Sequence, residues 1–205
     1  MIAVIDYGRG NLFSLSQALQ HLNTCYQVTN DPEDVARATQ IILPGVGAFG
    51  DGMRELNRSG LVIPIQDAAR RGVWILGICL GMQFLVDSSE EFGDHKGLGL
   101  IPGRTRKLST NGFSRVPNVG WRWLHPKGNN FLSDLAPKTM AYFVHSFAVQ
   151  TDFKESVLAN IKFNDEDIPA VIRRDNVIGY QFHPEKSGPA GLELIQRFLR
   201  CSCEG

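Results

Sequence analysis

The chain has 205 residues, of which 43% are hydrophobic and 20% charged, as is usual for one globular domain with a sizeable core. Lysine plus arginine equals aspartate plus glutamate at 21 each, so no net field recruits nucleic acid or an anionic membrane surface. No apolar run approaches the ~20 residues of a membrane span, and the first residues lack the basic segment of a signal peptide.

The first half of the chain alternates strand and helix patterns. Strand patterns are expected at 2–6, 26–29, 41–43 and 73–79. Helical patterns are expected at 12–22, from Asp31 onward, and at 52–71, the last interrupted by Gly60 and Pro64. Repeated units of this kind predict an α/β fold in which helices cover both faces of a mainly parallel sheet. We therefore expect a single-domain three-layer sandwich over residues 1–205. Ligands of such sheets bind at the carboxyl ends of strands.

The second half is dominated by short strand patterns. They occur at 140–149, 157–163, 169–173 and 177–182, with Asp, Asn and Gly turns between them. This arrangement predicts an antiparallel extension of the sheet, closed by a helix at about 190–199. Residues 109–130, rich in Asn, Gly and Pro, are expected to form a long functional loop.

Cys79 is the strongest candidate for a reactive residue. It ends an apolar strand pattern in Gly77-Ile-Cys-Leu-Gly81, and a helical pattern with Met82, Leu85 and Val86 follows it. A reactive side chain between two glycines at a strand-to-helix turn is a nucleophile elbow. The helix start is expected to favour the thiolate and to offer N–H groups for an oxyanion. A buried core cysteine is the alternative.

A histidine and a carboxylate follow another apolar strand pattern. His183 precedes Pro184, which favours an extended backbone at His183. Glu185 would project to the same side if the extension continued beyond Pro184. Such a pair can serve as base and orienting group for a cysteine nucleophile, although in a straight strand the two are ~6–7 Å apart. A surface histidine at a strand end is the alternative. The other histidines, His21, His95, His125 and His145, are expected to be solvated or structural.

A glycine-rich segment after the third strand matches a nucleotide-binding fingerprint. Gly45-Val-Gly-Ala-Phe-Gly50 has the pattern G-x-G-x-x-G, which belongs after a first strand and expects an acid at the end of the next. Here the next strand ends in Cys79 instead. We therefore expect these glycines to place backbone N–H groups for an oxyanion, and we do not expect bound NAD.

The cysteines indicate neither a metal site nor a disulfide framework. Cys25, Cys79, Cys201 and Cys203 form no C-x-x-C pair and no zinc spacing. A reduced, cytoplasmic compartment is the simplest interpretation. No spacing in the chain implies a metal or an organic cofactor.

Taken together, these motifs resemble those of the class I (triad) glutamine amidotransferases. Within that family the chain is most similar to the glutaminase subunits of imidazole glycerol phosphate synthase. The similarity runs from the first strand to the last helix, and the segments that carry it are Gly77-Ile-Cys-Leu-Gly-Met-Gln83, Pro44-Gly-Val-Gly47, Asp6-Tyr-Gly-Arg-Gly-Asn-Leu12, Pro117-Asn-Val-Gly-Trp121, Tyr142-Phe-Val-His-Ser-Phe147 and His183-Pro-Glu-Lys-Ser-Gly188.

The resemblance implies a role for each matching position. Cys79 would be the nucleophile, His183 the general base and acid, and Glu185 the group that orients His183. The backbone N–H of Leu80 would be one oxyanion donor, and Val46 would supply the second after a peptide rearrangement. The positions that would hold glutamine are Gly47, Gln83, Glu91, Ser146 and Phe147, with Glu91 as partner of the ammonium group. Tyr142 and Lys186 match positions that face a partner subunit.

The resemblance also implies a partner and a pathway. The chain would hydrolyse glutamine to glutamate and ammonia, and a (β/α)8-barrel cyclase would use the ammonia in histidine biosynthesis. This chain is too short to contain such a barrel, so a heterodimer is expected. Asn118 stands where many histidine-pathway members have histidine. A paralogous ammonia donor for surface sugars, and a different cysteine hydrolase of the same fold, therefore remain alternatives.

Overall fold

The first half of the chain folds into alternating strands and helices. The computed structural model describes residues 1–110 and 115–201. The elements of this half are β1 Ile2–Ile5, α1 Leu12–His21, β2 Tyr26–Thr29, α2 Pro32–Arg37, β3 Gln40–Gly45, α3 Phe49–Arg58, α4 Val62–Arg70, β4 Trp74–Cys79 and α5 Leu80–Phe84. The predicted helix at 52–71 is thus two helices, because the chain turns at Gly60, whose φ is +68°.

The second half consists mostly of short strands. They are β5 Ser88–Ser89, β6 His95–Lys96, β7 Gly103–Lys107, β8 Asn118–Trp123, β9 His125–Pro126, β10 Met140–His145, β11 Phe147–Thr151, β12 Val157–Phe163, β13 Glu166–Arg174 and β14 Val177–Tyr180. Two 3-10 turns, Lys154–Ser156 and Pro184–Lys186, and the helix α6 Gly188–Arg200 complete the described chain.

One eight-stranded sheet runs through the molecule in the order β2-β1-β3-β4-β14-β13-β12-β9. The pairs from β2 to β14 are parallel, and those from β14 to β9 are antiparallel. The prediction of a mainly parallel sheet with an antiparallel extension is therefore confirmed. The ends of β3 and β4 lie side by side, since Gly45 pairs with Cys79.

Both faces of the central strands are buried. Successive residues of a strand point to opposite faces, and in β3 Ile42 joins one hydrophobic cluster while Ile41 and Leu43 join another. Helices α1 and α6 cover the first face, whereas α3, α4 and α5 cover the second. This is the expected three-layer sandwich, and it explains why these strands read as continuous apolar runs.

Two expectations for the second half were wrong in detail. The segment 109–130 is not one long loop, because Asn118–Trp123 forms β8 and pairs antiparallel with β10; residues 111–114 lie outside the described part. The apolar run at 140–149 is not one strand either. It breaks at Ser146 into β10 and β11, which pair with different partners in different sheets.

Candidate active site

The turn from β4 into α5 presents Cys79 at the carboxyl edge of the sheet. Cys79 has φ +55° and ψ −107°, a backbone conformation that L-residues rarely adopt outside strained functional turns. A Cβ on Gly81 would collide with the carbonyl oxygen of Leu43, and a Cβ on Gly77 would collide with the backbone of Gly81. Both glycines are therefore required by close packing, as the elbow interpretation expects.

The helix after the elbow is shorter than its sequence pattern indicates. It spans only Leu80–Phe84, little more than one turn, whereas the apolar pattern continues to Val86. The macrodipole of so short a helix is small, because it is a sum over aligned peptide units. Stabilisation of a Cys79 thiolate must therefore come mainly from neighbouring side chains. Leu80 is the first helical residue, where backbone N–H groups lack a partner inside the helix.

His183 and Glu185 contact each other directly. His183 Nδ1 lies 2.8 Å from Glu185 Oε1, and both side chains are only 3% exposed. The extended geometry expected after Pro184 is wrong, because the 3-10 turn Pro184–Lys186 folds Glu185 back beneath the histidine. The short i,i+2 distance is thus a product of this turn.

His183 is held in the charged form by its surroundings. Burial works against protonation, but interactions with the Cys79 sulfur and with Glu185 outweigh it and raise the pKa of His183 to about 10. The Nε2 atom is buried and has no other hydrogen-bond partner among the described residues, which leaves it for the sulfur. This arrangement favours an imidazolium next to the Cys79 sulfur.

A cavity of about 430 Å³ opens over the nucleophile. Of the candidate site residues, nine line it: Val46, Gly47, Cys79, Leu80, Gln83, Glu91, Ser146, Phe147 and His183. Glu185 lies behind His183 and does not reach the cavity. The structure therefore brings the candidate nucleophile, base and binding residues into one site of suitable size for a small molecule.

The strand end beside Cys79 has the features expected of an oxyanion strand. Val46 is 40% exposed at the cavity, and Gly47 has φ +98°, a conformation that favours glycine. Gly45 is buried against the backbone nitrogen of Gly81 and the hydroxyl of Tyr7, with no room for a Cβ. The strand therefore packs directly against the elbow.

Glu91 occupies the amino end of α3. Its Oε2 accepts a hydrogen bond from the backbone N–H of Phe49 at 2.7 Å. The amino end of a helix stabilises a negative charge. The Glu91 carboxylate therefore occupies the place in which the fingerprint G-x-G-x-x-G would hold a pyrophosphate. Gly50 and Gly52 instead make room for the rings of His95 and Phe84. Gly45, Gly50 and Gly52 of this segment thus serve close packing.

A buried polar network reaches the nucleophile from the far side. Gln83 Nε2 donates to the carbonyl of Phe147 at 3.0 Å and to Gln181 Oε1 at 3.3 Å. Gln181 is fully buried, and its Nε2 donates towards Cys79 Sγ at 4.0 Å. Gln181 was not among the site residues predicted from the sequence, because it lies in a strand-like apolar run. Its position two residues before His183 was the available signal, because side chains two apart share a face.

His145 joins this network as a neutral histidine. Its Nδ1 donates to the carbonyl of Phe147 at 2.8 Å, so Nε2 accepts from Asn118 Nδ2 at 2.9 Å. Burial, aided by the charges of His183 and Arg122, lowers the pKa of His145 to about 4. The sequence-based expectation that His145 is structural agrees with this burial.

We expect His145 to make stability fall as the pH drops from about 6.5 to about 4. Between these values the unfolded chain binds a proton at His145 that the folded protein excludes. The contribution of the neutral His145 to the free energy of unfolding is therefore fully present above pH 6.5. The loss is on the order of 3 kcal/mol, at 1.36 kcal/mol per pKa unit. Chemical denaturation at a series of pH values measures it. His145→Asn should flatten this part of the curve, whereas His125→Asn, on an exposed histidine, should not.

The two candidate partner-facing residues border the site. The ring of Tyr142 lies edge-on to Trp121, with centroids 6.0 Å apart, and its carbonyl accepts the backbone N–H of His183 at 2.9 Å. Lys186 is exposed on the 3-10 turn that carries Glu185. Neither residue lines the cavity, and each is joined through the backbone to the segment that carries His183 and Glu185.

Neither Cys25 nor Cys201 lines the cavity. Cys25 is exposed and Cys201 is half-buried, while Cys203 lies outside the described residues. In the described part of the chain, no group of three or more His, Cys, Asp or Glu side chains is placed to hold a metal ion. None of the helices described is long and apolar enough to cross a membrane.

Comparison with known proteins identifies relatives along the whole chain. Residues 3–201 match the family glutamine amidotransferase class-I. The imidazole glycerol phosphate synthase subunit HisH of Geobacillus thermodenitrificans (strain NG80-2) is 47% identical over 203 residues, which cover 97% of this chain and 95% of that protein. The subunit of the same name from Bacillus licheniformis is 45% identical over 208 residues, which cover 100% of this chain and 98% of that protein.

Solved structures show the same fold at lower identity. A crystal structure of a glutamine amidotransferase has a TM-score of 0.78 at 18% identity, covering 99% of this chain and 100% of that chain. PurLQS from Thermotoga maritima has a TM-score of 0.71 at 24% identity, covering 98% of this chain and 97% of that chain. The matches in sequence and the agreement in fold lead to one conclusion: this chain belongs to the class-I glutamine amidotransferase family.

Proposed function

We propose that this chain is the glutaminase subunit of an imidazole glycerol phosphate synthase, hydrolysing glutamine to glutamate and ammonia for histidine biosynthesis. The observation that carries the proposal is the buried set of Cys79, His183 and Glu185, in which the cysteine and the histidine line a cavity of about 430 Å³ together with Gln83 and Glu91. The high identity to HisH subunits over almost the full length supports the pathway.

Catalysis begins with the thiolate of Cys79. It attacks the carboxamide carbon of glutamine, and the carbon–nitrogen bond breaks as His183 donates its proton to the departing ammonia. This leaves a glutamyl thioester on Cys79. His183, now neutral, takes a proton from water, and the resulting hydroxide attacks the thioester to release glutamate and restore the thiolate. Glu185 holds the imidazole at Nδ1 throughout.

The oxyanion of each tetrahedral intermediate forms beside the elbow. The backbone N–H of Leu80 is the first donor, since Leu80 follows the nucleophile and lines the cavity. The second donor is the N–H of Val46, brought round by a rearrangement of the exposed peptide between Gly45 and Gly47. Glycine on both sides lowers the conformational cost of that rearrangement.

The opposite end of the cavity holds the amino-acid part of glutamine. Glu91 supplies a negative charge for the ammonium group, while its bond to Phe49 N–H keeps the carboxylate in place. Gln83, anchored on the Phe147 carbonyl, presents its amide to the substrate, and Ser146 and Phe147 form the adjoining wall.

We expect Glu91→Gln to raise the KM for glutamine about 10- to 100-fold, with a smaller change in kcat, because a charged hydrogen bond is worth about 1.5–3 kcal/mol. A glutamine oxygen at position 91 can still accept the Phe49 N–H, so the thermal midpoint should change little. Glu91→Ala removes the helix contact as well and should lower both affinity and midpoint. Steady-state kinetics measures the effect, with the exposed neighbour Glu90→Gln as control. An unchanged KM in Glu91→Gln would contradict this role.

The ammonia needs a second active site close by, because free ammonia is protonated and lost in bulk water. We propose that the partner is a (β/α)8-barrel cyclase that seats on an aromatic face of the two-stranded sheet β8–β10. This face consists of Val119, Trp121, Trp123, Tyr142 and Val144. Trp121 and Trp123 are 46% and 52% exposed, and large apolar side chains grouped in this way mark an interaction surface.

The aromatic face is continuous with the active site. Val144 lines the cavity, and the neighbouring Tyr142 carbonyl binds the backbone of His183. A partner seated there would therefore cover the cavity mouth, and Lys186 would lie at the edge of the contact. A thiolate nucleophile also requires reducing conditions, so the proposal places the heterodimer in the cytoplasm.

Glutamate release tests the proposal. It is measured for this chain alone, then with the barrel cyclase from the same genome, with and without that cyclase's ribonucleotide substrate. Strong stimulation by cyclase and ribonucleotide together is expected. A rate of hydrolysis that is the same with and without the cyclase would indicate that the chain supplies ammonia to another acceptor, such as an enzyme of surface-sugar synthesis. An absence of hydrolysis with any partner would overturn the proposed activity.

A further inference from the structure

An asparagine far from the site in sequence contacts the third member of the triad. Asn11 lies immediately before α1, and its Nδ2 donates to Glu185 Oε1 at 3.1 Å. The same oxygen lies 2.8 Å from His183 Nδ1. The other oxygen, Oε2, is buried and has no hydrogen-bond partner among the described residues. Glu185 Oε1 therefore accepts hydrogen bonds from both the His183 imidazole and the Asn11 amide.

Asn11 does not perform the task usual for asparagine at its position. An asparagine before the first turn of a helix normally accepts a hydrogen bond from a backbone N–H of that turn. In α1 no side-chain cap of this kind forms, although the backbone carbonyl of Asn11 does accept the N–H of Leu15 at 3.2 Å. The side-chain amide is directed to Glu185 instead, so its contribution is to the site and not to the helix.

The contact matters because Glu185 is carried on a short turn whose own hydrogen bonds do not fix its side chain. The 3-10 turn has three residues, and rotation about the side-chain bonds of Glu185 would move Oε1 away from the imidazole. A donor approaching from α1 fixes the carboxylate from a second direction. Since a hydrogen bond to a carboxylate is charge-assisted, it is stronger than one between neutral groups.

We propose that Asn11 is a positioning residue that holds the Glu185 carboxylate in the orientation required to bind His183, making the triad a four-residue unit. The inference rests on the proposed glutaminase roles of Cys79, His183 and Glu185. It predicts that loss of the Asn11 amide weakens the support of the imidazolium without removing any group that touches glutamine.

The test compares Asn11→Ala and Asn11→Asp with Gln17→Ala, a change of an exposed polar side chain on α1. Asp has the shape of Asn but lacks the donor and adds a charge facing Glu185. We expect kcat for glutamine, measured with the cyclase and its ribonucleotide, to fall about 10- to 100-fold in Asn11→Ala and further in Asn11→Asp. The KM should change less than threefold, and Gln17→Ala should behave as the unaltered protein.

A second readout does not depend on glutamine hydrolysis. The imidazole of His183 is titrated by nuclear magnetic resonance in the isolated chain, with His183→Gln used to assign its signal. In Asn11→Ala the titration should move to lower pH, because a loosely held Glu185 stabilises the imidazolium less. Thermal unfolding should be nearly unchanged, since the amide caps no helix.

The two readouts separate the inference from the proposed function. An unchanged His183 titration and an unchanged kcat in both Asn11 variants would overturn the positioning role. A shifted titration in a chain that hydrolyses no glutamine with any partner would support the positioning role and overturn the proposed function. A lower kcat with an unchanged titration would show that Asn11 acts elsewhere, and this too would overturn the inference.

Discussion

Replacing Cys79 by alanine is expected to abolish glutamine hydrolysis, with a loss of at least about 10⁴-fold in kcat. A nucleophile that forms the covalent intermediate cannot be bypassed by the oxyanion donors alone, and removal of such residues costs factors of this size in other hydrolases. Glutamate release in the presence of the cyclase measures the loss. Glutamine binding should persist, because Gln83 and Glu91 remain in place.

Controls distinguish loss of the nucleophile from loss of the fold. The Cys79 side chain is small and 7% exposed, so its truncation to alanine leaves little empty volume and should barely shift the thermal midpoint. Cys25→Ala, at an exposed free thiol, should keep full activity. A glutamyl adduct on the unaltered protein, detected by mass spectrometry after rapid quenching and absent in Cys79→Ala, would identify the thioester. Full hydrolysis by Cys79→Ala would contradict the assignment.

Local patterns in the sequence were sufficient to predict the part of the fold that carries the nucleophile. The strands β3 and β4 are buried on both faces, so their sequences are continuous apolar runs, and the glycines around Cys79 mark a turn with no room for a Cβ. Because parallel strands end at one edge of the sheet, the proximity of the segment at 44–47 to Cys79 also followed from sequence. These features depend on short-range steric rules.

Features that depend on contacts between distant segments could not be predicted in this way. The 3-10 turn after His183 brings the Glu185 carboxylate within 2.8 Å of the imidazole, and this turn packs against α1, α6 and β10. The pairings of Asn118 with His145 and of Gln83 with Gln181 join residues 27 and 98 positions apart. The apolar run 177–182 places Gln181 two residues before His183, but the identity of the atom that its amide contacts, the Cys79 sulfur, depends on a segment about 100 residues away.

Glu185→Gln is expected to lower kcat/KM by on the order of 10³-fold and to change its pH dependence. Glutamine has nearly the same shape, and its oxygen can still accept from Asn11 and from His183, so geometry is largely retained while the negative charge is lost. Glu185 is one of the two groups that raise the pKa of His183 to about 10. Without its charge that pKa falls, and the imidazolium needed to protonate ammonia is lost at a lower pH.

The downward direction of the pKa shift of His183 determines which limb of the pH profile should change. In the unaltered protein, activity that depends on the imidazolium should be retained until the pH approaches about 10, where His183 releases its proton. In Glu185→Gln the decline should begin at lower pH, and each unit of displacement corresponds to 1.36 kcal/mol of lost charge stabilisation. Profiles of kcat/KM from pH 6 to pH 10.5 measure it, with Glu193→Gln on the exposed face of α6 as control. A profile that keeps its alkaline limb, with only a uniform loss of rate, would mean that Glu185 orients His183 without charging it.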